Sequence, residues 1–365
     1  MGTKRVGVLT GGGDCPGLNA VLRAVGVYCL RNGVEVIGFY DGFLGVMENR
    51  YCKLDNKAFA GIVSEGGTIL GTSNRDNPFA WAPHAAIARG EKGTDQSDHV
   101  VALMKELELD GLIVIGGDGS LNIANRLHSE KGVPCVGVPK TIDNDLSGTD
   151  VTFGFDTAVQ IATEAIDRLH TTGSSHHRCM VLEVMGRYAG WIALHAGVAG
   201  EADVILLPEF AYKPELIFEK IQKRGQNGSR YSIVVVAEGA KPVGGQLTVA
   251  RTVAGSHDAI RLGGLATTMA MDIENATGIE SRAVVLGHLQ RGGAPSSRDR
   301  LLGTQFGYLA GQLAIEGKWG FMPAARGAGF DLIPLAEAIG TMKLVQPNDP
   351  LVSAARAVGT IFGDE

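Results

Sequence analysis

Gly116-Gly117-Asp118-Gly119-Ser120 and Pro139-Lys140-Thr141-Ile142-Asp143-Asn144-Asp145 are two short polar segments, each preceded by an apolar run. The runs, Leu112-Ile113-Val114-Ile115 and Val136-Gly137-Val138, have the continuous apolar character of strands buried on both faces of a parallel sheet. Open α/β sheets bind ligands in the crevice beyond the carboxyl ends of their strands. Three carboxylates and a glycine turn therefore emerge where a ligand would sit, and the combination predicts phosphoryl transfer on a metal-bound polyphosphate.

Working outward, residues 5–10 form a strand pattern, 11–17 a glycine-rich turn and 18–30 a helical pattern, which together make a β-loop-α opening. Residues 34–39 read as the next strand, 95–107 as a helix leading into the strand at Leu112, and 155–169 as a helix. That last helix places Phe155, Ala158, Val159, Ala162, Ala165, Ile166 and Leu169 on one face and opens a second domain. Further strands are expected at 180–184, 204–207, 232–237 and 283–286, so the second half repeats the alternation. The expected fold class is α/β: two domains, each a largely parallel sheet flanked by helices, with the active site in the cleft between them. Residues 239–255, rich in Gly, Val and Thr, read as a hairpin excursion.

The 365 residues suffice for two such domains, and 45% hydrophobic with 20% charged residues is ordinary globular composition. A net charge of -6 argues against a general nucleic-acid or membrane-surface binder. Five scattered cysteines without CxxC spacing suggest neither a disulfide framework nor a zinc site and fit a reducing cytoplasm. The chain shows neither an N-terminal apolar signal region nor an apolar run long enough to span a membrane.

The segment Gly11-Gly12-Gly13-Asp14-Cys15-Pro16-Gly17 lies between strand and helix, where backbone N–H groups can hold phosphate. Gly12 and Gly17 have Walker spacing, but Leu18-Asn19 follows instead of Lys-Ser/Thr, and the dinucleotide fingerprint is absent. The missing fingerprint counts against an oxidoreductase. Asp118 and Asp145 are candidates to share one Mg²⁺ with waters and phosphates, although Asp118 alone also suits a helix cap. Asp143 is the candidate general base for a sugar hydroxyl, although an Asx-turn is a common role for a loop aspartate. Arg178, Arg187, Arg282 and Arg291 fall at strand beginnings or beyond strand ends, with His288 nearby, and imply a pocket for a phosphomonoester. Glu238 follows an apolar run and suits sugar hydroxyls or a turn.

At these residues the chain resembles the phosphofructokinases, through segments 11–19, 66–75, 116–120, 139–145, 174–178, 185–187, Glu238 and 282–291, in family order. The resemblance implies phosphorylation of fructose 6-phosphate at its 1-hydroxyl. It implies nucleotide contacts from Gly13, Arg75, Gly117, Asp118, Gly119 and Ser120, with Mg²⁺ at Asp118 and Asp145 and Asp143 as base. The sugar phosphate would be held by Thr141, Ile142, Asp143, Met185, Gly186, Arg187, Glu238, His288, Leu289, Gln290 and Arg291. Arg178 and Arg282 would reach across from a neighbouring subunit in a homotetramer. Arg187 and Arg75 would neutralise charge on the transferred phosphoryl group. The nucleotide unit would comprise residues 1–154 plus about 290–336, and the sugar-phosphate unit 155–289 plus about 337–365, by the same resemblance.

Two positions bear on the phosphoryl donor. Many pyrophosphate-using members carry Asp where this chain has Gly119, whereas glycine leaves room for the α-phosphate of ATP. Lys140 is instead the pyrophosphate-type residue, in place of the glycine usual in bacterial ATP enzymes. Gly with Lys, and the 239–255 excursion, resemble a mostly ATP-using branch, so ATP is expected and pyrophosphate is the alternative. Arg23 matches one arginine of the bacterial effector pocket, but Val27 stands where another belongs, which argues against control by ADP or phosphoenolpyruvate. A silent sugar-phosphate-binding regulatory subunit would be expected to lack Asp118 or Asp143, and both are present.

Overall fold

The computed structural model describes residues 3–252 and 260–365. The described elements of the first half are β1 (Arg5–Thr10), α1 (Leu18–Arg31), β2 (Glu35–Phe39), α2 (Phe43–Met47), β3 (Tyr51–Leu54), α3 (His84–Ala88), α4 (Ser97–Glu106), β4 (Gly111–Gly116), α5 (Asp118–Lys131) and β5 (Cys135–Pro139). There follow α6 (Phe155–His176), β6 (Cys179–Val184), α7 (Trp191–Ala199), β7 (Val204–Leu206), α8 (Pro214–Gln226), β8 (Ser232–Ala237), β9 (Val249–Thr252), β10 (Ile260–Leu262), α9 (Leu265–Thr277) and β11 (Ser281–Val285). The chain closes with α10 (Ser297–Ile315), β12 (Phe321–Arg326), β13 (Gly329–Pro334), α11 (Leu335–Ala338) and α12 (Pro350–Ala357).

Two principal sheets carry the fold. The larger has the order β13-β12-β5-β4-β1-β2-β3, and the smaller β11-β6-β8-β7. In the larger sheet β2, β1, β4, β5 and β12 run parallel, and the edge strands β3 and β13 are antiparallel. All four strands of the smaller sheet are parallel. The α/β class and the parallel centres follow from runs such as Leu112–Ile115, buried throughout because helices cover both faces. The edge strands β3 and β13 have partly exposed, weakly alternating sequences, and this is why pattern alone did not reveal them.

Chain order does not separate the sheets: β12 and β13 return to the larger sheet, while Ile361 near the C-terminus bridges Val204 of the smaller one. Helix α6 runs to His176, well past residue 169, and buries Phe155, Ala158, Ala162, Ile166 and Leu169, with Val159 and Ala165 partly buried. The 239–255 excursion contains β9, which pairs antiparallel with β10; residues 253–255 lie outside the described residues. Among the described residues no helix is long and apolar enough to cross a membrane.

Helix α10 locks the late part of the chain onto α1. A Cβ placed on Gly307 would stand 2.4 Å from the Val21 carbonyl oxygen and 2.8 Å from the Ala24 Cβ, so the two helix backbones approach more closely than any side chain allows. Replacing Gly307 with Val should lower the urea midpoint by an amount equivalent to about 1–3 kcal/mol of overpacking, and an unchanged midpoint would show that the helices slide apart freely.

Candidate active site

The site begins with strand register. Val8 pairs with Ile113, and Ile113 with Val136, so β1, β4 and β5 end at one edge and deliver residues 11–17, 117–120 and 140–145 together. Backbone bonds join these loops: Gly11 N–H donates to Ile115 O at 2.9 Å, Gly12 N–H to Ser73 O at 2.9 Å, and Lys140 N–H to Gly116 O at 2.9 Å. The Thr72 hydroxyl donates to Gly12 O at 2.6 Å, so the loop bearing Arg75 is drawn against the glycine turn. Arg75 itself is exposed.

The Lys140 ammonium donates to the Gly13 carbonyl and is almost wholly buried. Burial pulls its pKa down. Beside Gly119 a Cβ would meet nothing within 4 Å, so open space adjoins the start of α5. Gly117 is the N-cap of that helix and Asp118 lies in its first turn, with its Oδ1 accepting the Gly340 N–H at 3.0 Å. Asp118 is therefore not the cap itself.

Asp145 has its pKa raised, first by burial and further by the neighbouring charge of Asp118; a hydrogen bond with Thr141 opposes the rise. Among the described residues no three His, Cys, Asp or Glu side chains form a metal cluster. Two mutually repelling carboxylates do suit Mg²⁺, which takes few protein ligands and completes its octahedron with phosphate and water. Asp143 is held by its own N–H donating to Thr141 Oγ1 at 3.0 Å, while its Oδ1 is buried without a hydrogen-bond partner. Burial, and then the Asp145 charge, push it up to about 6 against the opposing pull of Arg291 and Lys140.

The smaller sheet supplies the facing loops in the same way, since β6, β8 and β11 run parallel and lead into residues 185–187, Glu238 and 287–291. Gln290 is fully buried and ties two of these loops together, accepting the Met185 N–H at 3.2 Å and donating to Gly287 O at 3.1 Å. Gly239 N–H donates to Gly186 O at 3.1 Å. Arg291 crosses to the first loop, where its Nη1 donates to Asp14 O at 3.1 Å. The Arg187 guanidinium stands 5.1 Å from the Tyr188 ring centroid.

Burial raises Glu238 to about 7, with Asp143 and Glu183 adding to the rise and Arg291 and Arg187 opposing it. Asp143, Glu238, Arg187 and Arg291 thus share one electrostatic neighbourhood, built from both sheets.

The structure does not gather all four expected arginines there. Arg178 pairs with Glu280 at 2.9 Å and Arg282 contacts the same carboxylate, at the starts of β6 and β11 and so at the opposite end of that sheet from Arg187. His288 and Leu289 are exposed on the turn after β11. The Ile142 side chain is fully buried in the core, so it anchors the turn and does not present a ligand.

Sequence reasoning missed three groups. Asp76 accepts from Ser73 and lies 3.1 Å from His84 Nε2, bracing the Arg75 loop; its place three residues after Ser73 was the one available signal. Glu209 accepts the N–H groups of Gly190 at 3.0 Å and Val345 at 2.9 Å. Lys343, which burial pulls down to about 8, donates to Asn144 Oδ1 at 3.1 Å. Glu209 follows the expected strand 204–207 by two residues, a signal like the one that marked Glu238, whereas Lys343 lies in no segment with a recognisable pattern.

Two largely parallel sheets presenting glycine turns, carboxylates and arginines to a common site define an α/β phosphotransferase architecture. The family model described as PFK: Phosphofructokinase matches residues 5–314. Over 363 residues the chain is 50% identical to ATP-dependent 6-phosphofructokinase 2 of Clostridium perfringens, covering 99% of each. It is 48% identical over 364 residues to the pyrophosphate–fructose 6-phosphate 1-phosphotransferase of Streptomyces coelicolor, covering 98% of this chain and 100% of that one. Among solved structures, phosphofructokinase from Saccharomyces cerevisiae superposes with a TM-score of 0.74 at 29% identity; the match covers 92% of this chain but 45% of the longer yeast chain. The chain belongs to the phosphofructokinase family.

The raised pKa of Glu238 sets a pH dependence of stability. Because its folded value of about 7 exceeds the ordinary 4.5, the folded chain binds this proton more tightly than the unfolded chain. That contribution is complete below about pH 4.5 and is lost as pH rises through about 7. Glu238→Gln should flatten the decline in urea midpoint across this window and raise the midpoint at about pH 8; a decline as steep as the parent's would remove Glu238 as its source.

Proposed function

We propose that the chain transfers the terminal phosphoryl group of ATP to the 1-hydroxyl of fructose 6-phosphate. The observation that carries this reading is the Asp143 carboxylate, with one oxygen buried and unpartnered where the loops of the two sheets meet. It takes the hydroxyl proton as the sugar oxygen attacks the γ-phosphorus, the bond to the β-phosphate bridging oxygen breaks, and ADP leaves. Asp118 and Asp145 would hold Mg²⁺, which would supply charge neutralisation on the polyphosphate. Gly13 and residues 117–120 line the nucleotide side, and the exposed Arg75 is drawn toward it by the Thr72–Gly12 bond. Arg187 and Arg291 neutralise phosphate charge, and Thr141, Met185, Gly186, Glu238 and His288 hold the sugar.

The nucleotide unit comprises residues 1–154 with about 290–336, and the sugar-phosphate unit 155–289 with about 337–365, a division supported by the return of β12 and β13 to the larger sheet. Arg178 and Arg282, remote from their own chain's Arg187, serve a neighbouring copy in a cytoplasmic homotetramer.

Relatives named for ATP and for pyrophosphate match this chain at similar identity, so overall likeness does not separate the donors. Two local features bear on the choice. The open space beside Gly119 favours the bulkier ATP, whereas the buried Lys140 ammonium directed at the glycine turn favours pyrophosphate. ATP is the reading adopted, because a carboxylate at position 119 would crowd and repel the α-phosphate, and Gly119 instead leaves that side of α5 open.

Asp143→Asn should lower kcat by about 10²–10⁴-fold in a coupled assay, and a loss below tenfold would remove Asp143 as the base. With purified protein, ATP should support turnover and pyrophosphate should not. Gly119→Asp should then reduce kcat/KM for ATP by roughly tenfold or more through charge repulsion; equal use of ATP by both proteins would rule out the space at Gly119 as the determinant.

A further inference from the structure

The segment 340–345 lies across the loop that carries Asp143 and Asp145 and touches it at several points. Gly340 N–H donates to Asp118 Oδ1 at 3.0 Å, and Lys343 N–H to Asp145 O at 2.8 Å. Leu146 bridges Met342, and the Ser147 hydroxyl donates to Thr341 O at 2.7 Å. The Lys343 ammonium has three donors, and each has an acceptor in that one loop: Asn144 Oδ1 at 3.1 Å, Thr149 O at 3.1 Å and Asp150 O at 2.8 Å. Asn144 itself sits at φ 52, a left-handed conformation that a non-glycine residue holds only when its surroundings enforce it. Its Oδ1 also accepts the Thr152 N–H at 3.1 Å, so Lys343 and Thr152 fix the side chain together.

The other end of the segment is anchored in the smaller-sheet half. Trp191 Nε1 donates to Lys343 O at 2.7 Å, and the ammonium stands 5.7 Å from the Trp191 ring centroid. Glu209 then joins Val345 to Gly190, three residues beyond Arg187.

We infer that Lys343 is a positioning residue for phosphoryl transfer, holding the turn through Asn144 so that Asp143 and Asp145 keep their placement, and tying that turn through Trp191 and Glu209 to the loop after Arg187. The inference rests on the roles given above to Asp143 and Asp145. A displacement of the order of 1 Å at reacting groups costs about 10²-fold in rate, whereas of the groups assigned to the sugar only Thr141 lies on this turn and Glu238, His288 and Arg291 lie off it, so the effect falls on turnover more than on sugar binding.

Lys343→Met keeps an apolar stem against Trp191 and removes the ammonium. It should lower kcat on the order of 10- to 100-fold while KM for fructose 6-phosphate stays within about threefold. Hydrogen–deuterium exchange of the apo protein should quicken in peptides spanning 141–152 and remain as in the parent in β1 and β4. The inference is overturned if kcat stays within about threefold, if exchange in 141–152 is unchanged, or if exchange rises across both sheets together. Should Lys343→Met fail to fold, Trp191→Phe removes the indole donor to the Lys343 carbonyl, together with part of the ring's bulk, and must give the same pattern at smaller amplitude. Asp143→Asn in the same assay separates the two readings. Full activity there defeats the base assignment, whereas an inactive Asp143→Asn beside a fully active Lys343→Met defeats only the role of Lys343.

Discussion

The parallel register of β1, β4 and β5 is the constraint on which the rest depends. Strands buried on both faces have no room for charge along their length, so their polar residues emerge at the ends, and parallel strands bring equivalent ends to one edge. The glycine turn, Asp118, Asp143 and Asp145 meet for this reason, although more than a hundred residues separate the first from the last. The smaller sheet repeats the arrangement with residues 185–187, Glu238 and Arg291. Arg291 closes the gap by reaching the Asp14 carbonyl.

Bringing these groups together has an electrostatic cost. Burial raises Asp143, Asp145 and Glu238 and lowers Lys140, and the cations present offset only part of the carboxylate repulsion. Under the proposed function, such a site would take up what it lacks: positive charge beside Asp118 and Asp145, and a hydroxyl proton at Asp143. A phosphorylated sugar would meet Arg187 and Arg291, which already bear on Glu238. On that reading the scaffold holds the site in a state that substrates would relieve, which is how preorganised charge stabilises a transition state.

The elements that frame the site were legible because local pattern and tertiary environment agree there. Continuous apolar runs at β4 and β8 marked strands buried on both faces, and the helical face from Phe155 to Leu169 marked the packing side of α6. The pattern failed where burial is one-sided or slight, as at β3 and β13, whose residues alternate weakly and border solvent. The family resemblance also gave Ile142 and Gln290 a place among the ligand candidates, whereas packing turns both side chains inward, one into the core and the other as a tie between loops.

The sequence by itself determined the α/β character, the strands and turns that lead into the site, and the carboxylates and arginines available for chemistry, because each is written in a few adjacent residues. Only the tertiary structure decided which of them meet. It separated Arg178 and Arg282 from Arg187 by placing them at opposite ends of the same parallel sheet. It also brought in Lys343, which bonds Asn144 across 199 positions of chain. Local spacing cannot encode such a contact, because it exists only once the two sheets have packed and the C-terminal segment has been laid across their junction.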